Sequence, residues 1–379
     1  MIAPVGWDVE TALLCLCARR SAQSARVVVA NEDGAAVDWD RLLAIAARHG
    51  VSGLLLAPLR SSALPVPAGI VDRLETHHIE VTGQNLKLTM QLVELLALLA
   101  RHDIRALAFK GPTLAAGPYG HLGRRLSNDL DILVDRSQVS RACELMLADG
   151  YRQLPRRRQR VGSLLRGLYS GAGRDETLLP GRESRVPVDV HVAFAYWTLG
   201  MHLRTSELLD RGTSEDLAGH SVKTLCPEDL LLVLAIHGMM HGWGFLRFVS
   251  DIDAVAEGVT DWQAVVDRAA AARMVRPFRV AVLLADQLLH TAFSRSIVEQ
   301  AEHDAGARAI ADTVIGRMFD PAWNAPADMG IRDRWFLPFH ERPIDRLRFH
   351  ARALSYEWVL KWPWDEWLGR RYHSRDGSR

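Results

Sequence analysis

The sequence predicts an α+β fold, a small mixed β-sheet with flanking helices set between N- and C-terminal helical regions. Three observations carry this. Up to about residue 100 and again beyond about residue 200, apolar residues recur at helical spacing. Between these stretches lie three short apolar runs of strand length, 104–109, 129–134 and 186–192. The second run holds two carboxylates two residues apart, Asp129 and Asp131, framed by Leu130, Ile132, Leu133 and Val134. Residues i and i+2 of a strand share a face, so the two carboxylates point one way and Leu130 and Ile132 the other.

The elements follow in order. Residues 8–20 form a first helix. Trp39-Asp40 opens a second, with Leu42, Leu43, Ile45 and Ala46 at helical spacing and a stop at Gly50. Residues 51–59 make another short helix, 61–67 a Ser/Pro loop, and 67–100 a long amphipathic helix in one or two parts. Ile104 to Phe109 is the first strand, followed at once by Lys110-Gly111 and a helix from Thr113 to Gly117, with Pro112 suited to its first turn. After the second strand, Ser137 to Asp149 is a helix capped by Ser137 or Asp135 and closed by Gly150. Residues 151–185 read as a loop rich in arginine (Arg152, Arg156, Arg157, Arg158, Arg160, Arg166, Arg174, Arg182, Arg185). Val186 to Val192 is the third strand, with Asp189 and His191 on one face. Helices then run from Pro227 to His241, around Phe248 to Val255, from Trp262 to Ala272 and from Arg276 to His290.

With 379 residues the chain has room for two or three domains, or one with helical extensions. The expected division is a helical region at 1–100, a core at 101–200 containing the arginine-rich loop, a helical domain at 201–340, and a tail at 341–379 with Trp358, Trp362, Trp364 and Trp367. A net charge of +1 gives no global pull toward nucleic acid or an anionic membrane. The four cysteines show no paired metal spacing, and Cys15 and Cys17 lie in apolar surroundings, as buried thiols in a reducing compartment do. Asp8 and Glu10 precede the first apolar run, and the longest apolar stretches are broken by charge before a membrane-spanning length. A cytoplasmic protein with no membrane partner is expected.

Two like charges on one strand face repel unless a cation sits between them, and hard oxygen ligands suit Mg2+ bridging a polyphosphate. The ordered set is a strand ending in Lys110-Gly111, a strand bearing Asp129 and Asp131, and a strand bearing Asp189. With Asn85, Phe109, Tyr119, Arg125, Gly150-Tyr151, His191, His237, His241, Trp243, Arg247 and Asp251, this set resembles the uncharacterised bacterial nucleotidyltransferases of the polymerase-β-type superfamily, over roughly residues 40–290. The resemblance implies a minimal nucleotidyltransferase fold. It also implies Mg2+-dependent transfer of a nucleoside monophosphate, AMP from ATP, to a hydroxyl or phosphate acceptor.

Under that resemblance Asp129, Asp131 and Asp189 hold two Mg2+ ions, with Mn2+ an alternative. Gly111 lets the backbone approach a phosphate at a helix N-terminus. Lys110 and Arg125 are counter-charges for phosphate oxygens. The superfamily usually has Ser after the glycine. This chain has Pro112, and Thr113 is the nearest hydroxyl. The acceptor class (small molecule, peptide, protein or RNA) and the oligomeric state stay open.

Other assignments keep alternatives. His191 either orients the carboxylates or packs. His237 and His241, at i and i+4, line the substrate or bind zinc together with His191. Arg247 either reaches a phosphate or pairs with Asp251 four residues on. A non-catalytic nucleotide-binding or antitoxin-like partner protein of the same fold is the rival to the enzyme.

Overall fold

The structure is a computed structural model describing residues 7–23, 37–153, 175–181, 185–195, 199–323 and 335–361. Arg156, Arg157, Arg158, Arg160, Arg166, Arg174 and Arg182 of the arginine-rich stretch lie outside the described residues, as do Trp362, Trp364, Trp367 and the side chain of Trp358. In chain order the helices are α1 (Val9–Cys17), α2 (Trp39–His49), α3 (Leu56–Ser61) and α4 (Ala68–Ala100). Then come β1 (Ala106–Ala108), α5 (Pro112–Ala116), β2 (Leu130–Val134), α6 (Val139–Ala148), β3 (Tyr151–Gln153), β4 (Asp175–Pro180) and β5 (Val188–His191). The remainder is α7 (Thr205–Arg211), β6 (Thr213–Leu217), β7 (His220–Thr224), α8 (Pro227–Met240), α9 (Leu246–Ala256), α10 (Trp262–Ala271), α11 (Val275–Leu289), α12 (Arg295–Glu302), α13 (Ala305–Met318) and α14 (Pro343–Lys361).

Local chemistry sets the boundaries. Asp8 and Asp38 cap α1 and α2 by accepting from Thr11 N at 2.8 Å and Arg41 N at 3.0 Å, satisfying donors the helix leaves free. Gly50 ends α2 in the left-handed conformation. The long helix α4 is one continuous element of 33 residues, about 50 Å at the usual rise. The expected cap of α6 is corrected. Asp135 accepts from the Ser137 amide and hydroxyl in a tight turn, and the helix starts two residues later without a capping side chain.

The seven strands form one mixed sheet in the order β3-β4-β5-β2-β1-β7-β6. β2 pairs antiparallel with β1 and parallel with β5, while β1 pairs parallel with β7. Two differences from the sequence reading stand out. The stretch read as a loop at 151–185 contributes two strands, β3 and β4, which pair with each other and with β5. The sheet also does not end at residue 200, because the β6–β7 hairpin closes its other side against β1.

The period of two separates the sheet's faces. Ala108, Leu130, Ile132, Val188 and Val190 pack in one apolar cluster with Leu88, Leu92, Leu95 and Leu99 of α4. Phe109 and Leu133 face the other way, into the larger cluster shared with the N-terminal helices and α8, α9 and α11. Burying these side chains is the main stabilising contribution, roughly 2 kcal/mol for each large apolar side chain. On this second face Asp131 and His191 are also buried. No helix among the described residues is long and apolar enough to cross a membrane.

Candidate active site

The parallel pairing of β2 with β5 sets Asp131 directly opposite Asp189, and Leu133 opposite His191. Neighbours in register share a face, so two carboxylates and an imidazole are delivered to one spot by backbone pairing alone. Their ligand atoms lie within 4.8 Å of one another. Among the described residues this is the group of His, Cys, Asp and Glu side chains placed to hold a metal ion.

Asp131 is 6 % exposed. Its Oδ1 accepts from His191 Nε2 at 2.7 Å and lies 3.6 Å from Lys110 Nζ. Burial works to raise the Asp131 carboxyl, but Lys110 and the His191 hydrogen bond outweigh it and hold the group well below the ordinary range. Asp189 Oδ1 is buried with no hydrogen-bond partner. A buried carboxylate oxygen left bare is costly, and a cation is the group that would repay it. Two carboxylates with an imidazole fit a divalent ion by donor chemistry.

Asp129, one residue before β2, stands beside this set and outside the group within mutual reach. Burial first, and then the charge of Asp131, push its carboxyl up. Lys110 and Arg125 pull the other way without cancelling that rise.

Gly111 takes φ +63° and ψ −135°, a conformation only glycine adopts readily, and a Cβ there would meet the Asp129 carbonyl oxygen at 3.2 Å. The turn thus presses β1's exit against the start of β2. Thr113 does not present its hydroxyl to a ligand as a donor. It donates to the Lys110 carbonyl at 2.8 Å and fastens the same turn. Pro112 is the first residue of α5, where its missing amide hydrogen costs nothing.

Lys110 is buried and also lies 3.3 Å from His237 Nδ1. His237 and His241 stand edge to face with centroids 4.5 Å apart, and both pack on Phe248. The helical half is thereby joined to the carboxylates through Lys110. Among the described residues His191, His237 and His241 are not brought together as one metal-holding group: His191 is turned to Asp131 and His237 to Lys110.

Arg125 is the residue expected as a counter-charge for phosphate oxygens. In the structure it makes a two-pronged pair with Asp251, Nε to Oδ1 at 2.7 Å and Nη2 to Oδ2 at 3.0 Å. Tyr119 adds a hydrogen bond to Asp251 Oδ1 at 2.8 Å. Both Asp251 oxygens are thus engaged by Arg125 and Tyr119 and not by Arg247, whose pairing with Asp251 was one of its two alternatives. The Arg247 guanidinium lies over the rings of Phe245 and Phe248, 5.2 and 5.0 Å from their centroids. Asn85, fully buried on α4, donates to the carbonyls of Leu122 at 2.6 Å and Arg125 at 2.7 Å, holding the loop that bears Arg125.

Sequence reasoning quoted Asn85, Tyr119 and Asp251 without seeing that they form one brace. The signal was their polarity within apolar stretches, which requires buried partners. Gly238, likewise unassigned, sits under the indole of Trp243, where a Cβ would lie 2.5 Å from the ring.

No curated protein matches the chain. Among solved structures it is similar to an antigenic nucleotidyltransferase-like protein from Paracoccidioides brasiliensis, at 13 % identity over 56 % of this chain and 97 % of that one, with a TM-score of 0.33. The model of the family described as uncharacterised nucleotidyltransferase matches residues 35–290. That span covers more than half of the chain and all of the residues built into the site above, so the chain belongs to the uncharacterised nucleotidyltransferase family.

Proposed function

We propose that the protein is a divalent-metal-dependent nucleotidyltransferase moving a nucleoside monophosphate, AMP from ATP in the first instance, onto an acceptor hydroxyl or phosphate. The acceptor oxygen forms a bond to the α-phosphorus. The bond from that phosphorus to the bridging oxygen breaks, pyrophosphate leaves, and a hydroxyl acceptor's proton passes to solvent or a nearby base. The observation that carries this reading is the in-register pair Asp131 and Asp189 with the bare, buried Asp189 Oδ1.

Asp131, Asp189 and His191 would hold the ion, with Asp129 at the side where a triphosphate enters. When bound, the metal supplies charge for the phosphate oxygens and a lowered pKa for the acceptor hydroxyl. Every other part is played by the chain. Lys110, already on Asp131, is within a side-chain swing of a phosphate oxygen. His237 keeps that ammonium from straying. Arg247, with no carboxylate of its own among the described residues, offers a planar fork to the β- or γ-phosphate. Arg125 serves by positioning, since it locks the loop before Asp129 to α9.

One observation favours the non-catalytic rival. Lys110 and His191 already satisfy Asp131 Oδ1, as a site that binds nucleotide without turnover would allow. Labelled ATP, CTP, GTP and UTP incubated with cell extract and protein decide between them. Transfer of label to an acceptor that is lost in Asp189→Asn by a factor of about a hundred or more supports the enzyme. Mg2+-dependent nucleotide binding with no labelled product from any extract would leave the binding protein.

A further inference from the structure

Three of the eight large apolar side chains exposed among the described residues lie on α4: Ile79 at 71 %, Leu86 at 44 % and Met90 at 51 %. With Gly83, Val93, Ala97 and Ala100 they recur at alternating intervals of four and three residues. That is the heptad spacing of a helix that packs on a second helix. Leu88, Leu92, Leu95 and Leu99 occupy the other side of α4, against the sheet.

Gly83 marks the seam as a place of close approach. A glycine inside a helix is costly relative to alanine, and a Cβ here would meet nothing within 4 Å. Packing inside the chain does not call for this glycine; a second backbone laid across it would.

The charges beside the seam name the partner. Glu80, Lys87, Glu94 and Arg101 follow one another at seven-residue intervals along one flank, with alternating sign. In an antiparallel pair of helices this flank faces the same flank of the partner. A second copy laid antiparallel sets Lys87 against Glu94 of the copy and Glu80 against Arg101 of the copy, each contact made twice by two-fold symmetry. The same register stacks Met90 on Val93, Leu86 on Ala97 and Gly83 on Ala100. A shift of one heptad either way sets Lys87 on Lys87 or Glu94 on Glu94. A parallel pair puts Glu75 on Glu80 and leaves the other three charges against Thr82, Thr89 and Leu96. The antiparallel register alone satisfies the charges and the apolar seam together. Glu94 also feels Arg185, whose own ion pair is with Asp149 at 2.6 Å.

We propose that the protein forms a two-fold symmetric homodimer through antiparallel pairing of α4 with α4 of a second copy. Because α4 is already folded against the sheet, pairing bears no cost of forming the helix. The seam from Ile79 to Arg101 is about 33 Å long at the usual rise. At each end Ile79 reaches past Ala100 of the copy to the mouth of a groove of about 750 Å3, which Ala97, Ala100, Ile104 and Leu107 line. The buried Asp131 and His191 lie on the sheet's other face, and the dimer does not depend on the nucleotidyltransferase reading.

Sedimentation equilibrium of the full-length protein, without nucleotide or metal, should show a reversible monomer–dimer equilibrium. Lys87→Glu and Glu94→Lys should each weaken the dimer about tenfold or more, since each turns two attractive contacts into repulsive ones. The double variant restores the charge pairs in reverse and should recover wild-type affinity. Both positions are exposed, and they stand seven residues apart on one helix, so the rescue cannot arise within one chain. A wild type that is monomeric at every concentration, a dimer indifferent to both single reversals, or a double variant no tighter than the singles would each overturn the proposal. A mixture of ordinary and heavy-isotope-labelled wild type, coupled by a zero-length carbodiimide, gives a test that needs no variant. The dimer band should contain a mixed-isotope link between Lys87 and Glu94; links confined to other residues refute the antiparallel seam.

Discussion

Asp129 and Asp131 look interchangeable in the sequence, yet the structure gives them opposite electrostatic fates. Asp131 is held ionised by Lys110 and His191, whereas Asp129 is pushed up by burial and by its neighbours. A carboxyl whose folded pKa is depressed adds stability above its unfolded value, near 3.9, and that stability is lost as pH falls through the folded pKa. A raised one does the reverse and costs stability at neutral pH. In EDTA at pH 7, Asp131→Asn should therefore lower stability by about 3 kcal/mol, because it strands a buried ammonium. Asp129→Asn should raise or leave unchanged the melting temperature. Thermal melts of both variants check this, and a destabilised Asp129→Asn would contradict it. At this scale the sequence disclosed the carboxylates and their shared face through the period of two. It could not show that Lys110 and His191 meet on Asp131, since that depends on where β1 and β5 lie in the sheet.

At the scale of elements, two side chains fasten helices to the site. Asn85 ties α4 to the loop of Leu122 and Arg125 by two hydrogen bonds. Asn85→Ala should cost about 2–3 kcal/mol, since it leaves two buried carbonyls unpaired, and should weaken nucleotide binding more than it lowers turnover. Denaturant unfolding and a KM-against-kcat comparison read the two effects. His49, fully buried, accepts from Leu246 N at 3.1 Å at the start of α9, and burial and then Arg48 lower its imidazole to about 4. A base with a depressed folded pKa adds stability that is present above its ordinary value of 6.5 and lost as pH falls toward 4. The wild type should thus lose melting temperature across that window faster than His49→Gln, which keeps an acceptor; parallel curves would refute this. Helix positions were legible from periodicity and from breakers such as Gly50. The strands β3, β4, β6 and β7 were not, because short segments such as Thr213–Leu217 become strands only by pairing with neighbours.

The whole molecule is bound together across long sequence distances. β1 lies between β2 and β7, and Arg125 meets its counter-charge 126 residues later at Asp251. A fragment of residues 1–200 would leave β1 with an unpaired edge and Arg125 without Asp251. It should show no cooperative thermal transition by circular dichroism; a sharp, reversible one would show that the sheet is complete without β6 and β7. The α+β class and the order of the three site-bearing strands could be read from the chain. The expected boundary at residue 200 could not, because the hairpin that closes the sheet follows a helix and lacks an apolar run.

The Arg125–Asp251 brace also bears on how the protein is made. During synthesis β2 and β5, which place Asp129, Asp131 and Asp189, leave the ribosome well before β7 and α9 exist. For that interval the nascent chain carries an open strand edge and a guanidinium that has nowhere dry to go, and open edges invite pairing with other chains. The carboxylate cluster is translated before the elements that set it in place. Slowed synthesis or a holding chaperone should therefore raise the soluble yield more than any change to the site itself.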